Sequence, residues 1–129
     1  MDTSCGGLIS SYAFCRYPDV FGGAACLSTH SSLMNPYVQT DQKLAAETYL
    51  AYLKANLPAD SDHLLYMDRG DCPIDEAYAE SQAAINDMIA DLDWNTDNYM
   101  YRFFSGQSHS EQDWSSRIDI PIIFLLGID

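Results

Sequence analysis

Three residues far apart in the chain have the types needed for nucleophilic chemistry: Ser4, Asp75 and His109. A serine hydroxyl becomes a nucleophile when a base takes its proton and an acid holds that base in the right tautomer. The serine must also sit on a sharp turn leading straight into a helix, with small residues beside it. The free N–H groups and the dipole of that helix then face the charge that develops on the attacked carbonyl. "TSCGGL" (3–8) has this form, with Cys5 directly after Ser4 and Gly6 two residues on. The backbone N–H of Cys5 is the expected oxyanion donor. Asp2 stands where G-x-S-x-G has its first glycine, and the same hexapeptide also reads as a serine helix cap. A nucleophilic Cys5 would need glycines at positions 3 and 7, and position 3 is Thr.

"YMDRGDCPIDEAY" (66–78) offers Asp68, Asp71 and Asp75 for the acid. Asp75 lies just ahead of a long helix and is the expected acid. Asp68, at the end of a strand, is the alternative acid. Each also has a structural reading, Asp68 as a turn anchor and Asp75 as a helix cap. "FFSGQSHSEQDW" (103–114) puts His109 in a polar loop five residues after Phe104. His63 precedes a strand, at the wrong end of a parallel sheet, whereas His30 follows one and could line the same mouth. The chain order Ser, Asp, His is that of α/β-hydrolases.

The elements that must position these residues alternate. Apolar residues at Leu8, Ile9, Tyr12 and Ala13, with the stem of Arg16, predict an amphipathic helix in "GGLISSYAFCRY", ended by Pro18. "FGGAACLST", "HLLYMD" and "NYMYRFFSG" read as three strands, the first two of them buried. A loop follows the first strand ("SSLMNPYVQT"). "DQKLAAETYLAYLKANL" predicts a helix capped at Thr40 or Asp41, with Pro58 beyond its end. "IDEAYAESQAAINDMIADL" predicts a long helix whose apolar positions include Tyr78, Ile85, Met88, Ile89 and Leu92. A final helix opens at "SHSEQDW", runs to Leu126 and stops at Gly127; Pro121 must kink or split it. Helices alternating with apolar strands imply a single α/β domain over residues 1–129 with a short, mostly parallel sheet of about three strands. In such sheets ligands bind beyond the carboxyl ends of the strands, which is where the three candidates fall.

The totals narrow the field. The chain has 129 residues, 47% of them hydrophobic, so one packed domain is expected rather than a disordered chain. Nineteen acidic against six basic residues give a net charge of -13. Such a surface repels phosphate backbones and anionic membranes, so no nucleic-acid and no membrane partner is expected. It reads as an ordinary solvated surface or as adaptation to high salt. No apolar run reaches the roughly 20 residues of a membrane span, and no basic-then-apolar leader opens the chain, so a cytoplasmic location is expected. Cys5, Cys15, Cys26 and Cys72 form no CxxC pair and read as buried free thiols. His30, His63 and His109 have no partners at metal-ligand spacing, so no metal site is expected.

Three longer stretches carry a resemblance: "SCGGLISSYAFCRYPDVFGGAACLSTH", "LYMDRGDCPIDEAY" and "GQSHSEQDWSSRIDIPIIFLLG", the last holding a G-x-x-H-x-x-x-x-W pattern. They resemble the esterase family of α/β-hydrolases that contains S-formylglutathione hydrolase, feruloyl esterase and enterochelin-esterase-like enzymes. The resemblance spans nearly the whole chain. It implies Ser4 as nucleophile, Asp75 as acid and His109 as base, with no cofactor. In this chain Asp71 occupies the place of the family's usual Thr in the acid turn. The family also implies about five strands ahead of the nucleophile, and none is legible before Ser4. The chain therefore reads as a truncated α/β-hydrolase fold, three-layered α/β/α, beginning at its nucleophile. The strand near Ala24–Ser28 would then be an open sheet edge that invites a second copy of the chain. Two functions follow: a serine carboxylesterase acting on small acyl esters, or a non-catalytic hydrolase remnant serving as a structural or interaction module.

Overall fold

A computed structural model of the chain describes residues 1–32, 42–59 and 62–127. The expected cap at Thr40 or Asp41 and most of the loop before it lie outside these residues.

Among the described residues, four strands form one sheet in the order β1 (Asp2–Thr3), β2 (Gly23–Leu27), β3 (Leu64–Arg69) and β4 (Tyr99–Phe103), every neighbouring pair parallel. Five α-helices among the described residues surround it: α1 (Cys5–Arg16), α2 (Gln42–Asn56), α3 (Ala79–Ala90), α4 (Glu111–Ser115) and α5 (Asp119–Leu126). β2 and the first four residues of β3 are apolar because both faces of the sheet are covered there. Ala24, Cys26, Leu65 and Met67 pack on one face with Phe14 of α1, Tyr49 and Leu53 of α2, and Ile85, Met88 and Ile89 of α3. Ala25, Leu27 and Tyr66 face the other way, toward Trp114, Ile120, Phe124 and Leu125. Alternate residues of one strand thus feed two cores, the period of two that a strand imposes.

The sheet has one strand more than the three expected. β1 is two residues long and pairs Asp2 with Cys26 and Thr3 with Leu27. The end of the Ala24–Ser28 strand is therefore covered, and β1 is the edge. A two-residue strand has no alternation for a sequence reading to find.

The buried face of α1 also differs from expectation. Ile9 and Tyr12 are 68% and 48% exposed, while Gly7, Ser11, Phe14 and Cys15 face the core. Small residues let the helix lie close to the sheet, and Ser11 is satisfied there. Its Oγ donates to Leu8 O (2.9 Å) and accepts from Tyr49 Oη (2.8 Å).

The last helix is split between Ser115 and Asp119, ahead of Pro121 rather than at it. Pro121 is the third residue of α5, in the first turn, where a backbone N–H would have no helical partner. Gly127, at φ 59°, ends the helix as expected. All four cysteines are free thiols, but only Cys15 and Cys26 are buried, and burial pushes them up to about 11 and about 12. Cys5 is exposed and Cys72 half-buried. Among the described residues, no helix is long and apolar enough to cross a membrane.

Candidate active site

Ser4 joins β1 to α1 at φ 55° and ψ −123°, a conformation that L residues avoid. Its N–H donates to Leu27 O (2.9 Å), and its carbonyl accepts from Gly7 N (3.1 Å) and His30 N (3.2 Å). The turn is thus held through its own backbone from both sides. The Asp2 carboxylate fills the space beside Gly6, and a Cβ there would have to displace that exposed side chain. Asp2, in the place of the first glycine, uses that room, and its Oδ1 accepts from Thr3 N (2.7 Å). The N–H of Cys5 opens α1 immediately behind the serine, among the first N–H groups that a helix leaves without internal partners.

His109 bridges the other two candidates. Its Nε2 lies 2.8 Å from Ser4 Oγ and its Nδ1 lies 2.7 Å from Asp75 Oδ1. A proton donated from Nδ1 to the carboxylate leaves Nε2 free to accept the Ser4 hydroxyl. Trp114 meets the imidazole edge-on at 4.8 Å and Tyr78 at 5.9 Å. The loop is tied on either side of His109. Ser108 donates from both N and Oγ to Asp113 Oδ2 (2.6 Å each), and Ser110 Oγ accepts from Asp113 N (3.3 Å), capping α4. The Ser108 bonds hold the Asp113 carboxyl below its ordinary range.

Asp75 opens a 3₁₀ turn (Asp75–Tyr78) ahead of α3 and is fully buried. Its Oδ2 accepts from Ser28 Oγ (2.5 Å) and Gly70 N (2.7 Å). Burial pushes this carboxyl up, but the hydrogen bonds from His109, Ser28 and Gly70 outweigh it and leave it below its ordinary value. Gly70 makes the approach of the two loops possible. A Cβ there would lie 2.1 Å from Gln107 O, the carbonyl that accepts from Asp71 N (3.2 Å) and Cys72 N (3.0 Å).

The alternative acid, Asp68, is equally buried but faces elsewhere. Arg117 donates to it from Nε (3.1 Å) and Nη2 (3.0 Å), Ser28 from N (3.0 Å) and Tyr66 from Oη (3.0 Å). Burial pushes the Asp68 carboxyl up, against the pull of Arg117. Asp71 fastens the loop after β4, accepting from Ser105 Oγ (2.9 Å) and Gly106 N (2.7 Å). His30 lies at the mouth, its Nδ1 2.5 Å from Tyr78 Oη, whereas His63 packs edge-on to Phe14 and meets Pro18 O (2.9 Å).

Ser28, Tyr78, Gln107 and Arg117 were not legible as site residues. Ser28 reads as the tail of an apolar strand, and Arg117 in "WSSRIDIPI" carries no pattern that marks it, yet both are almost wholly buried. Trp114 was visible only within the G-x-x-H-x-x-x-x-W pattern. Among the described residues, no cluster of three His, Cys, Asp or Glu could hold a metal ion. In comparisons with known proteins, the chain matches no protein-family model and no curated protein.

Proposed function

We propose that the chain is a serine carboxylesterase of the α/β-hydrolase type, hydrolysing small acyl esters through an acyl-enzyme intermediate. The observation that carries this reading is the line Ser4 Oγ–His109 Nε2–Asp75 Oδ1, with spans of 2.8 and 2.7 Å, starting from a serine at φ 55°. In this mechanism Ser4 Oγ attacks the ester carbonyl while His109 Nε2 takes its proton. The developing oxyanion meets the Cys5 N–H at the start of α1. The tetrahedral intermediate collapses, and His109 returns the proton to the departing alcohol. Water then attacks the acyl-enzyme with His109 again as base, releasing the acid and restoring Ser4. Asp75, kept ionised by its hydrogen bonds, holds the His109 tautomer and stabilises the imidazolium. No cofactor enters these steps. A net charge of -13 favours neutral over anionic esters.

The esterase family named above is the proposed home of this fold. A second copy of the chain, pairing along the β1 edge of the sheet, is its proposed partner, and light scattering at micromolar concentration tests that association. The test of function is hydrolysis of p-nitrophenyl acetate and butyrate beside Ser4→Ala. The expected result is saturable turnover that falls by roughly 10⁴-fold or more in the variant. Equal rates in the two proteins would leave Ser4 as a helix cap and favour the non-catalytic reading.

A further inference from the structure

We propose that Ser28 is a positioning residue that fixes the direction of the hydrogen bond into Asp75, with Arg117 and Trp114 as the groups that orient it. The kinetic part of this inference rests on the esterase reading; the geometric part does not.

A serine hydroxyl has one proton to donate and two lone pairs to accept with. Ser28 is fully buried, so water does not share in these contacts. Trp114 Nε1 lies 3.0 Å from its Oγ, and Arg117 Nη2 also 3.0 Å. An indole N–H and a guanidinium can only donate. With both lone pairs engaged, the single hydroxyl proton has one direction left, toward Asp75 Oδ2 at 2.5 Å. A charged donor on a hydroxyl oxygen also strengthens that hydroxyl as a donor.

Arg117 is itself held on three sides. Its Nε and Nη2 bind Asp68, its Nη1 donates to Gln107 Oε1, and its guanidinium lies over the Phe104 ring at 4.7 Å. The chain of contacts therefore runs from Asp68 through Arg117 and Ser28 to Asp75 and His109. With Ser28 and Gly70 on Oδ2, Oδ1 is left for His109, and the carboxylate cannot turn without breaking two hydrogen bonds.

The backbone at Ser28 points the same way. It sits at φ 43°, where glycine would be unstrained. Its N–H is shared between Asp68 O and Asp68 Oδ1, both at 3.0 Å. A serine held in a glycine conformation, with every hydroxyl contact used, is explained by the hydroxyl.

The test compares Ser28→Gly and Ser28→Ala with the parent chain, reading kcat and KM on p-nitrophenyl acetate, the proton NMR signal of His109 Nδ1–H, and folding by circular dichroism. The glycine variant removes the hydroxyl and the backbone strain together, so its fold is expected to persist. The expected result is kcat lower by about 10- to 100-fold with KM unchanged, and a His109 Nδ1–H signal that moves upfield or is lost to exchange. A kcat within twofold of the parent and an unmoved signal would overturn the proposal. Loss of folding in both variants would also overturn it, because the hydroxyl would then be structural. Should the parent chain have no Ser4-dependent turnover, the esterase reading fails and the NMR signal alone decides the geometry.

Discussion

Asp68 and Asp75 make an instructive pair. Asp68 lies near the end of β3 and Asp75 in the turn beyond it, both are fully buried, and both accept a hydrogen bond from Ser28. They differ in the partner on the far side. Asp68 faces Arg117, a cation that never gives up its proton, and can only anchor. Asp75 faces His109, whose charge can change during a reaction, and can do work in a chemical step. Burial raises one carboxyl, whereas three hydrogen bonds lower the other despite it. The same side chain is thus a staple at one position and a candidate orienting acid seven residues later.

The sharpest way to break this comparison is to substitute each aspartate by asparagine. Asp75→Asn is expected to lower ester turnover by about 10⁴-fold while the fold persists, because the amide favours the wrong His109 tautomer. Asp68→Asn is expected to cost about 3–5 kcal/mol of stability, since it leaves Arg117 charged and buried without its counter-ion. The folded fraction of that variant should retain turnover within about tenfold. Rates corrected for folded protein, beside urea unfolding curves, separate the two outcomes. If Asp68→Asn abolished turnover and Asp75→Asn did not, the roles would be reversed.

Acid unfolding sharpens the contrast. The lowered Asp75 carboxyl contributes stability that is present above the unfolded value of about 3.9 and drains away as pH falls through its folded value. Melting temperatures measured from pH 6 down to pH 3 should therefore fall less steeply in Asp75→Asn than in the parent chain.

The smallest expected effect lies beside His109. Ser110→Ala removes the α4 cap and should cost about 1 kcal/mol. Turnover should stay within a few-fold, because the Ser108–Asp113 bonds still brace the His109 loop. A large loss of kcat with little loss of stability would mean that the cap itself sets the histidine geometry.

The alternating order of strands and helices was legible because β2, the start of β3 and the Ile85, Met88 and Ile89 face of α3 carry apolar patterns. The three residues of the candidate site were legible from residue type and chain order. The supporting layer was not. Ser28, Arg117 and Gln107 have no periodic signature, and each is defined by contacts between residues tens of positions apart or across a loop. The face of α1 was misread for a related reason. A helix pressed close to a sheet turns its small residues inward, and hydrophobic spacing then points to the exposed side. The split of the last helix ahead of Pro121 follows local turn geometry, which a proline-based rule places a few residues late.

The backbone of Ser4 is held by Leu27 and His30, the residues at the end of β2 and just beyond it. The candidate nucleophile therefore belongs to the same cooperative unit as β2. Its amide should exchange with solvent deuterium at the pace of that strand, not of a surface turn. Any fluctuation that frees the serine must first loosen the hydrogen bond at the strand end, so the site opens and closes together with part of its sheet.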